Sequence, residues 1–348
     1  MKQWQLQAPG LESLRLEEVD PPGPPGAGEV TVRLHAASLN YRDVLILESR
    51  YDPSQTYPVI PLSDGAGEVV ATGEGVTGFR AGDRVAGAFS QTWLDGVPDY
   101  IPRHGSLGGA LTGVAQAYRT FPAHGLVHVP PHLDSVQAST LPCAAVTAWH
   151  ALYERGPLRP GDSVLLQGSG GVSLFALQLA CAGGARVVHL TGSPGKEAIL
   201  RDMGADHVIN YRTTPDWDKA VLEHTDGRGV DRVVDVGGPD TLPKALSCTR
   251  HGGRISMVGV LAGGRVELQL LAAIARNISL DAIFVGSRTM FQRLNRALQA
   301  HQLVPVVDRV FPFEELPAAV GYLRSGAHTG KIALRIAPDD GARGTARG

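Results

Sequence analysis

The chain has 348 residues, enough for two domains, and its 32 Lys+Arg nearly balance 34 Asp+Glu. Without a basic face, nucleic acid is excluded as a main partner. No apolar run approaches the roughly 18 residues that would span a bilayer, so no membrane partner is expected.

Cys143, Cys181 and Cys248 form no C-x-x-C pair, which argues against a disulfide framework or a structural zinc knot and fits a reducing, cytoplasmic setting. No apolar segment follows Met1–Leu6, so no secretory leader is expected. The 43 glycines and 24 prolines imply many turns rather than disorder, because 43% of residues are hydrophobic.

The first 120 or so residues read as short β segments. Residues 29–36 alternate at period two, as a half-buried strand does, and residues 67–73 and 83–87 are similar. Residues 21–26, Pro-Pro-Gly-Pro-Pro-Gly, form a rigid turn-rich link. From about residue 125 the pattern changes, with a helical segment over 144–152. Strands are predicted at 163–167, 186–190, 207–210, 230–236 and 254–258, and helices at 172–182, 196–203, 217–224, 242–248 and 290–300. That βαβ alternation calls for a doubly wound parallel sheet in an α/β protein, with 278–285 as its last strand. Residues 304–307 and 330–335 read as strands returning to the first domain. The expected division is therefore 1–124 with 300–340, 125–299, and a loose Gly/Arg/Asp-rich tail over 341–348.

The most informative stretch is 164–173, an apolar strand running into Gly168-Ser169-Gly170-Gly171-Val172-Ser173 and then a helix. Gly168 permits the tight turn, and Gly170 lets the backbone approach a pyrophosphate. The open N–H groups of the first helical turn, at Gly171 and Val172, point at the anion. Ser173 stands where a third glycine or alanine is usual. After the second strand, an acid normally holds the adenosine ribose. Here the residues are Thr191-Gly192-Ser193-Pro194-Gly195-Lys196, with no acid. Thr191 and Ser193 offer hydroxyl and backbone donors, Lys196 adds charge, and NADP(H) is expected over NAD(H). The plainer reading, that Ser193 caps a helix and Lys196 is solvated, is compatible with this.

Taken together, the chain resembles the medium-chain dehydrogenase/reductase superfamily, specifically its zinc-free quinone oxidoreductase-like branch. The marks are residues 37–43 (Ala-Ser-Leu-Asn-Tyr-Arg-Asp), 61–68, 141–149, the glycine turn and 204–212. The resemblance implies a GroES-like β domain plus a Rossmann domain, with the active site between them. It also implies a homodimer joined along the Rossmann sheet edge at 278–285. At the positions where the zinc alcohol dehydrogenases carry Cys, His and Cys, this chain carries Asn40, Ser63 and Cys143. One thiol with an amide and a hydroxyl is a poor zinc set, so no metal is expected, Asp64 and His150 notwithstanding. Further cofactor contacts implied by the resemblance are Thr147, Tyr211, Gly259, Val260, Val285, Gly286, Arg288 and Lys331.

Without a Lewis acid, reduction of an electron-poor acceptor is easier than alcohol oxidation. The expected activity is NADPH-dependent, metal-independent hydride transfer to a small-molecule quinone or α,β-unsaturated carbonyl. Asn40 and Tyr41 are the candidate catalytic donors to the developing oxyanion. Trp93 and Tyr100 suggest an aromatic rim for flat substrates. An enoyl-thioester reductase, a non-catalytic NADPH-binding protein and, more distantly, a zinc alcohol dehydrogenase are the alternatives.

Overall fold

The computed structural model describes residues 1–52, 54–98, 102–259 and 263–338. Tyr100, Val260 and the 341–348 tail lie outside them. The chain divides into two compact units, Met1–Val146 with Gly286–Gly348, and Thr147–Val285.

The first unit opens with an antiparallel hairpin, β1 (Lys2–Leu6) and β2 (Leu14–Glu18). Then come β3 (Glu29–Ser38), α1 (Tyr41–Leu47), β4 (Asp64–Thr72), β5 (Arg84–Gly87), β6 (Tyr118–Pro122), β7 (Leu126–His128) and α2 (Ser135–Ser139). β3 is buried along nearly its whole length, because it pairs with neighbours at both edges and is covered on both faces. A distorted helical stretch follows, with π-type turns at Leu141–Ala145 and His150–Glu154 around α3 (Val146–Trp149).

The second unit alternates β8 (Ser163–Gln167), α4 (Gly171–Ala182), β9 (Arg186–Thr191), α5 (Pro194–Asp202), β10 (His207–Asn210) and α6 (Trp217–His224). It continues with β11 (Val230–Asp235), α7 (Leu242–Ser247), β12 (Thr249–Met257), α8 (Leu270–Ala275) and β13 (Ser279–Ala282). All six strands are parallel, in the order β10-β9-β8-β11-β12-β13. β8 and β11 are wholly buried, as central strands of a two-faced sheet must be. The strand order reverses between β8 and β11, the place where such sheets leave a crevice for ligands.

The chain then returns to the first unit through α9 (Arg288–Ala300), β14 (Val307–Pro312), α10 (Leu316–Ser325) and β15 (Lys331–Arg335). The first unit's sheet runs β14-β15-β3-β4-β5-β7, with β6 also on β3. Its core gathers Leu6, Val30, Leu34, Val69, Phe121, Leu126 and Ile332.

Several boundaries differ from the sequence reading. The second unit starts at Thr147 rather than 125, because Ser38 Oγ holds the Ser139 carbonyl at 3.0 Å and keeps α2 on β3. It ends at Val285 rather than 299, because Asn295 Nδ2 and Arg288 Nε bond the His128 and Leu126 carbonyls and fix α9 to β7. β13 stops at Ala282, and Val285 adopts φ +41°, in the left-handed region that a β-branched residue avoids. Residues 304–306 are not strand, and β14 begins only at Val307, two residues beyond Pro305. Helices α1, α2, α8 and α10 were not anticipated.

Candidate active site

In the second unit, β8 ends directly at the glycine turn. Gly168 takes φ +77°, a conformation costly for any residue with a Cβ. At Gly170, the N-cap of the 12-residue α4, a Cβ would meet no protein atom. The protein therefore does not need glycine there for its own packing, and the open space is what a closely approaching phosphate requires. No side chain caps α4, so its first-turn N–H groups at Gly171 and Val172 point outward. Ser173 explains its departure from glycine by donating to the Gln167 carbonyl at 2.5 Å, closing the turn from inside. His189 on β9 closes it from the other side, Nε2 donating to the Gly168 carbonyl at 2.6 Å. A carbonyl only accepts, so Nε2 carries the proton. Burial lowers the His189 pKa to about 4. The turn thus fits a dinucleotide pyrophosphate.

The end of β9 fits an adenosine moiety without an acid. Thr191 is buried, and its Oγ1 accepts from the Ser193 N–H at 3.2 Å. Ser193 is the N-cap of α5 but makes no side-chain cap, which leaves its hydroxyl uncommitted to the helix. A Cβ on Gly192 would lie 2.3 Å from the Tyr211 hydroxyl, so glycine there lets the half-exposed Tyr211 close over the strand end. Lys196 sits in the first turn of α5. The one acid in that turn, Glu197, accepts from Asn210 Nδ2 and Arg201. At the end of β11, buried Asp235 accepts from Gln167 Nε2, Thr241 Oγ1 and the Gly238 N–H, a brace the sequence reading missed. Gly259 is needed for packing, since a Cβ would lie 2.1 Å from the Val236 carbonyl. His150 Nδ1 lies 2.9 Å from the carbonyl of strained Val285, and burial lowers its pKa. Thr147 is buried near the start of the same helical stretch.

In the first unit, a polar cluster gathers where β3, β4 and β15 meet. Asn40 caps α1, and its backbone N–H donates to Asp43 Oδ2 at 2.7 Å in a capping box. Asp43 is buried, with Arg42 3.3 Å from its other oxygen. Burial pushes the Asp43 carboxyl up to about 6, against the pull of Arg42, the Asn40 N–H and Lys331. The Arg42 guanidinium also donates to the Leu107 carbonyl and lies between the Tyr51 and Phe89 rings at 4.7 and 4.8 Å. Ser63 Oγ donates to Asp64 Oδ1 at 2.6 Å, and Asp64 Oδ2 accepts the Cys143 N–H at 3.0 Å. Burial pushes the Cys143 thiol far up, which makes it a poor nucleophile. Lys331 is buried, and its ammonium donates to the Leu39 carbonyl and to Asn40 Oδ1. The resemblance implied a cofactor contact for Lys331; here its ammonium is engaged by these two oxygens of the first unit. Tyr41 opens α1 and is 42% exposed. Trp93 packs inside the unit, its indole donating to the Gly96 carbonyl, rather than forming a rim. Gly286 is a packing glycine as well, since a Cβ would lie 2.7 Å from Val146.

The zinc reading can be tested on these donors. Asn40 Oδ1 is taken by an ammonium and the Ser63 hydroxyl is spent on Asp64, which leaves Cys143 as the one ordinary zinc ligand of the three positions. This set does not fit a catalytic zinc, which takes three N, S or carboxylate ligands. Among the described residues no group of three His, Cys, Asp or Glu side chains could hold a metal.

Two family models match the chain: an alcohol dehydrogenase GroES-like domain over residues 26–131 and a zinc-binding dehydrogenase over 171–300. A zinc-type alcohol dehydrogenase-like protein of Schizosaccharomyces pombe is 43% identical, over 94% of this chain and 96% of that one. Human quinone oxidoreductase is 28% identical, over 88% and 89%. The crystal structure of a putative alcohol dehydrogenase from Sinorhizobium meliloti superposes with TM-score 0.91 at 39% identity, covering 96% of this chain and 98% of that one. With a nucleotide-binding turn on its parallel sheet and a GroES-like first unit, the chain belongs to the medium-chain dehydrogenase/reductase superfamily of nicotinamide-dependent oxidoreductases.

Proposed function

We propose that the protein is an NADPH-dependent, metal-independent reductase of quinones or α,β-unsaturated carbonyls. The observation that carries this reading is Asn40. Where a metal would have to be ligated, the first unit offers an amide whose Nδ2 is buried without a hydrogen-bond partner. An unsatisfied buried donor is costly, and an acceptor oxygen relieves that cost.

A nicotinamide cofactor held at the Gly168–Val172 turn and the Thr191–Lys196 segment would supply the hydride. The electron-poor carbon of the acceptor receives the hydride, the displaced electron pair moves onto the carbonyl oxygen, and a solvent proton completes the reduction. Asn40 Nδ2, with the Tyr41 hydroxyl as a second donor, stabilises the oxyanion as it forms. Cys143, held as a thiol, takes no covalent part. Preference for NADPH rests on the acid-free Thr191–Lys196 segment.

The reading includes a homodimer joined through the β13 edge. Helix α8, which precedes β13 in the chain, turns Leu270, Leu271 and Ile274 outward at 64, 76 and 70% exposure, and β13 is an edge strand paired only with β12 among the described strands. No helix among the described residues is long and apolar enough to cross a membrane, and all three cysteines are free thiols, which supports a cytoplasmic setting.

The test is oxidation of NADPH by chelator-treated protein against an ortho-quinone, a para-quinone, a short enone and an enoyl thioester, with NADH as control. Turnover of a quinone or enone with NADPH preferred is expected. Turnover restored only by zinc, or confined to the thioester, overturns the reading. Tight NADPH binding with no acceptor turned over indicates a binding protein instead.

A further inference from the structure

We propose that Lys331 is the positioning residue that sets the Asn40 donor; this deepens the reductase reading and rests on it. The β3–β15 register pairs Ala333 with Ser38, and the Leu39 N–H donates to the Ile332 carbonyl at 3.0 Å. Continued by one more pair, the antiparallel ladder brings Lys331 alongside Asn40. There the ammonium lies 2.5 Å from the Leu39 carbonyl and 2.6 Å from Asn40 Oδ1, and the lysine is only 3% exposed.

An ammonium donates three hydrogens and accepts none. The amide atom facing it must therefore be the oxygen, because the flipped rotamer would set NH2 against NH3+. Lys331 therefore decides which amide atom of Asn40 faces the ladder. With Oδ1 held, Nδ2 is directed away from the ladder, where it finds no partner in the protein. Withdrawal of electron density at Oδ1 also makes the Nδ2 hydrogens better donors. The Asn40 backbone is fixed by the Asp43 carboxylate, and in the capping box the Asn40 side chain also faces the Asp43 N–H, so Lys331 acts together with that cap in holding Oδ1. The ligand for such a donor is the oxygen of a quinone or enone carbonyl, which gains charge as hydride arrives.

A double-mutant cycle tests this in the full-length protein, with acceptor kcat/KM at saturating NADPH as the first readout and NADPH affinity by fluorescence as the second. Lys331→Met keeps the buried aliphatic stem but cannot donate. Acceptor kcat/KM is expected to fall roughly tenfold to a hundredfold in Lys331→Met and in Asn40→Ala, with NADPH affinity changed less than about twofold. The double variant is expected to be no worse than Asn40→Ala alone, because Lys331 acts through Asn40. Asn40→Asp still pairs with Lys331 but has no hydrogen to donate, so its turnover is expected to stay low.

Additive losses in the double variant overturn the proposal. So does a loss of NADPH affinity in Lys331→Met with kcat unchanged, which would make it a cofactor contact. If Asn40→Asp turns over as wild type does, the donor reading itself fails. If Asn40→Asp is impaired and Lys331→Met is not, only the positioning inference fails. Should Lys331→Met not fold, Lys331→Gln carries the same comparisons, its shorter amide falling short of Asn40 Oδ1.

Discussion

His189 gives the sharpest test of the second unit's electrostatics. Its ring is buried, one nitrogen donates to the Gly168 carbonyl, and the other has no partner. Desolvation lowers its pKa from 6.5 to about 4, with the Gly168 hydrogen bond pulling weakly the other way. The sign follows from linkage. The unfolded chain takes up the proton first, so stability present above pH 6.5 is lost as pH falls toward 4. Lowering from 6.5 to about 4 corresponds to about 3 kcal/mol between pH 8 and pH 4. His189→Gln places an amide N–H where Nε2 stood, so it keeps the bond to Gly168 and removes the titration. Urea unfolding from pH 8 to pH 4 measures both proteins. The variant is expected to be somewhat less stable at pH 8. The difference should then move by about 3 kcal/mol in its favour by pH 4. Unfolding free energies that stay parallel over that range would show that burial does not hold His189 neutral, and the account of the turn's support would fall with it.

Gly168→Ala forces a Cβ into φ +77° and is expected to cost about 1 kcal/mol of stability and to weaken NADPH binding; calorimetric titration checks both. Ser193→Asp sets a carboxylate against an adenosine 2′-phosphate, and the NADPH/NADH ratio of kcat/KM is expected to drop about tenfold or more. Asp231 is raised by burial, yet the Ser163 N–H and hydroxyl with Arg250 and Arg228 bring it well below the ordinary carboxylate range. That stability is lost as pH falls below about 4. Asp231→Asn is expected to cost about 2 kcal/mol at pH 7, discounted for the partly exposed arginines, and to flatten the acid limb of the unfolding curve. Leu271→Glu is expected to shift the protein to monomer in sedimentation, with the fold unchanged.

The parallel sheet was legible because each of its elements is local. Strands such as 207–210 and helices such as 217–224 match the structure residue for residue, since a buried parallel strand is an apolar run whatever surrounds it. The glycine turn was legible for the same reason. Helix α8 escaped notice because Leu270–Ala275 is apolar on its outward face too, leaving no helical periodicity to read. The site in the first unit was only half visible. Asn40 stood out, but the partners that orient it come from β15, almost 300 residues away, and no local pattern announces that pairing. His189 looked like one more residue in an apolar strand, and its bond to Gly168 exists only once β8 and β9 are side by side.

The split of the first unit has a consequence for biosynthesis. The second unit is contiguous, so every strand of its sheet has been made once Ala282 is translated. The first unit is then still missing β14 and β15, and β3 lacks the neighbour that β15 supplies. On the ribosome the nucleotide-binding half can therefore close while the other half holds an open sheet edge. The strand that carries Lys331, β15, emerges after every described strand of the second unit, so the Lys331 contact to Asn40 can form only after that sheet has been made.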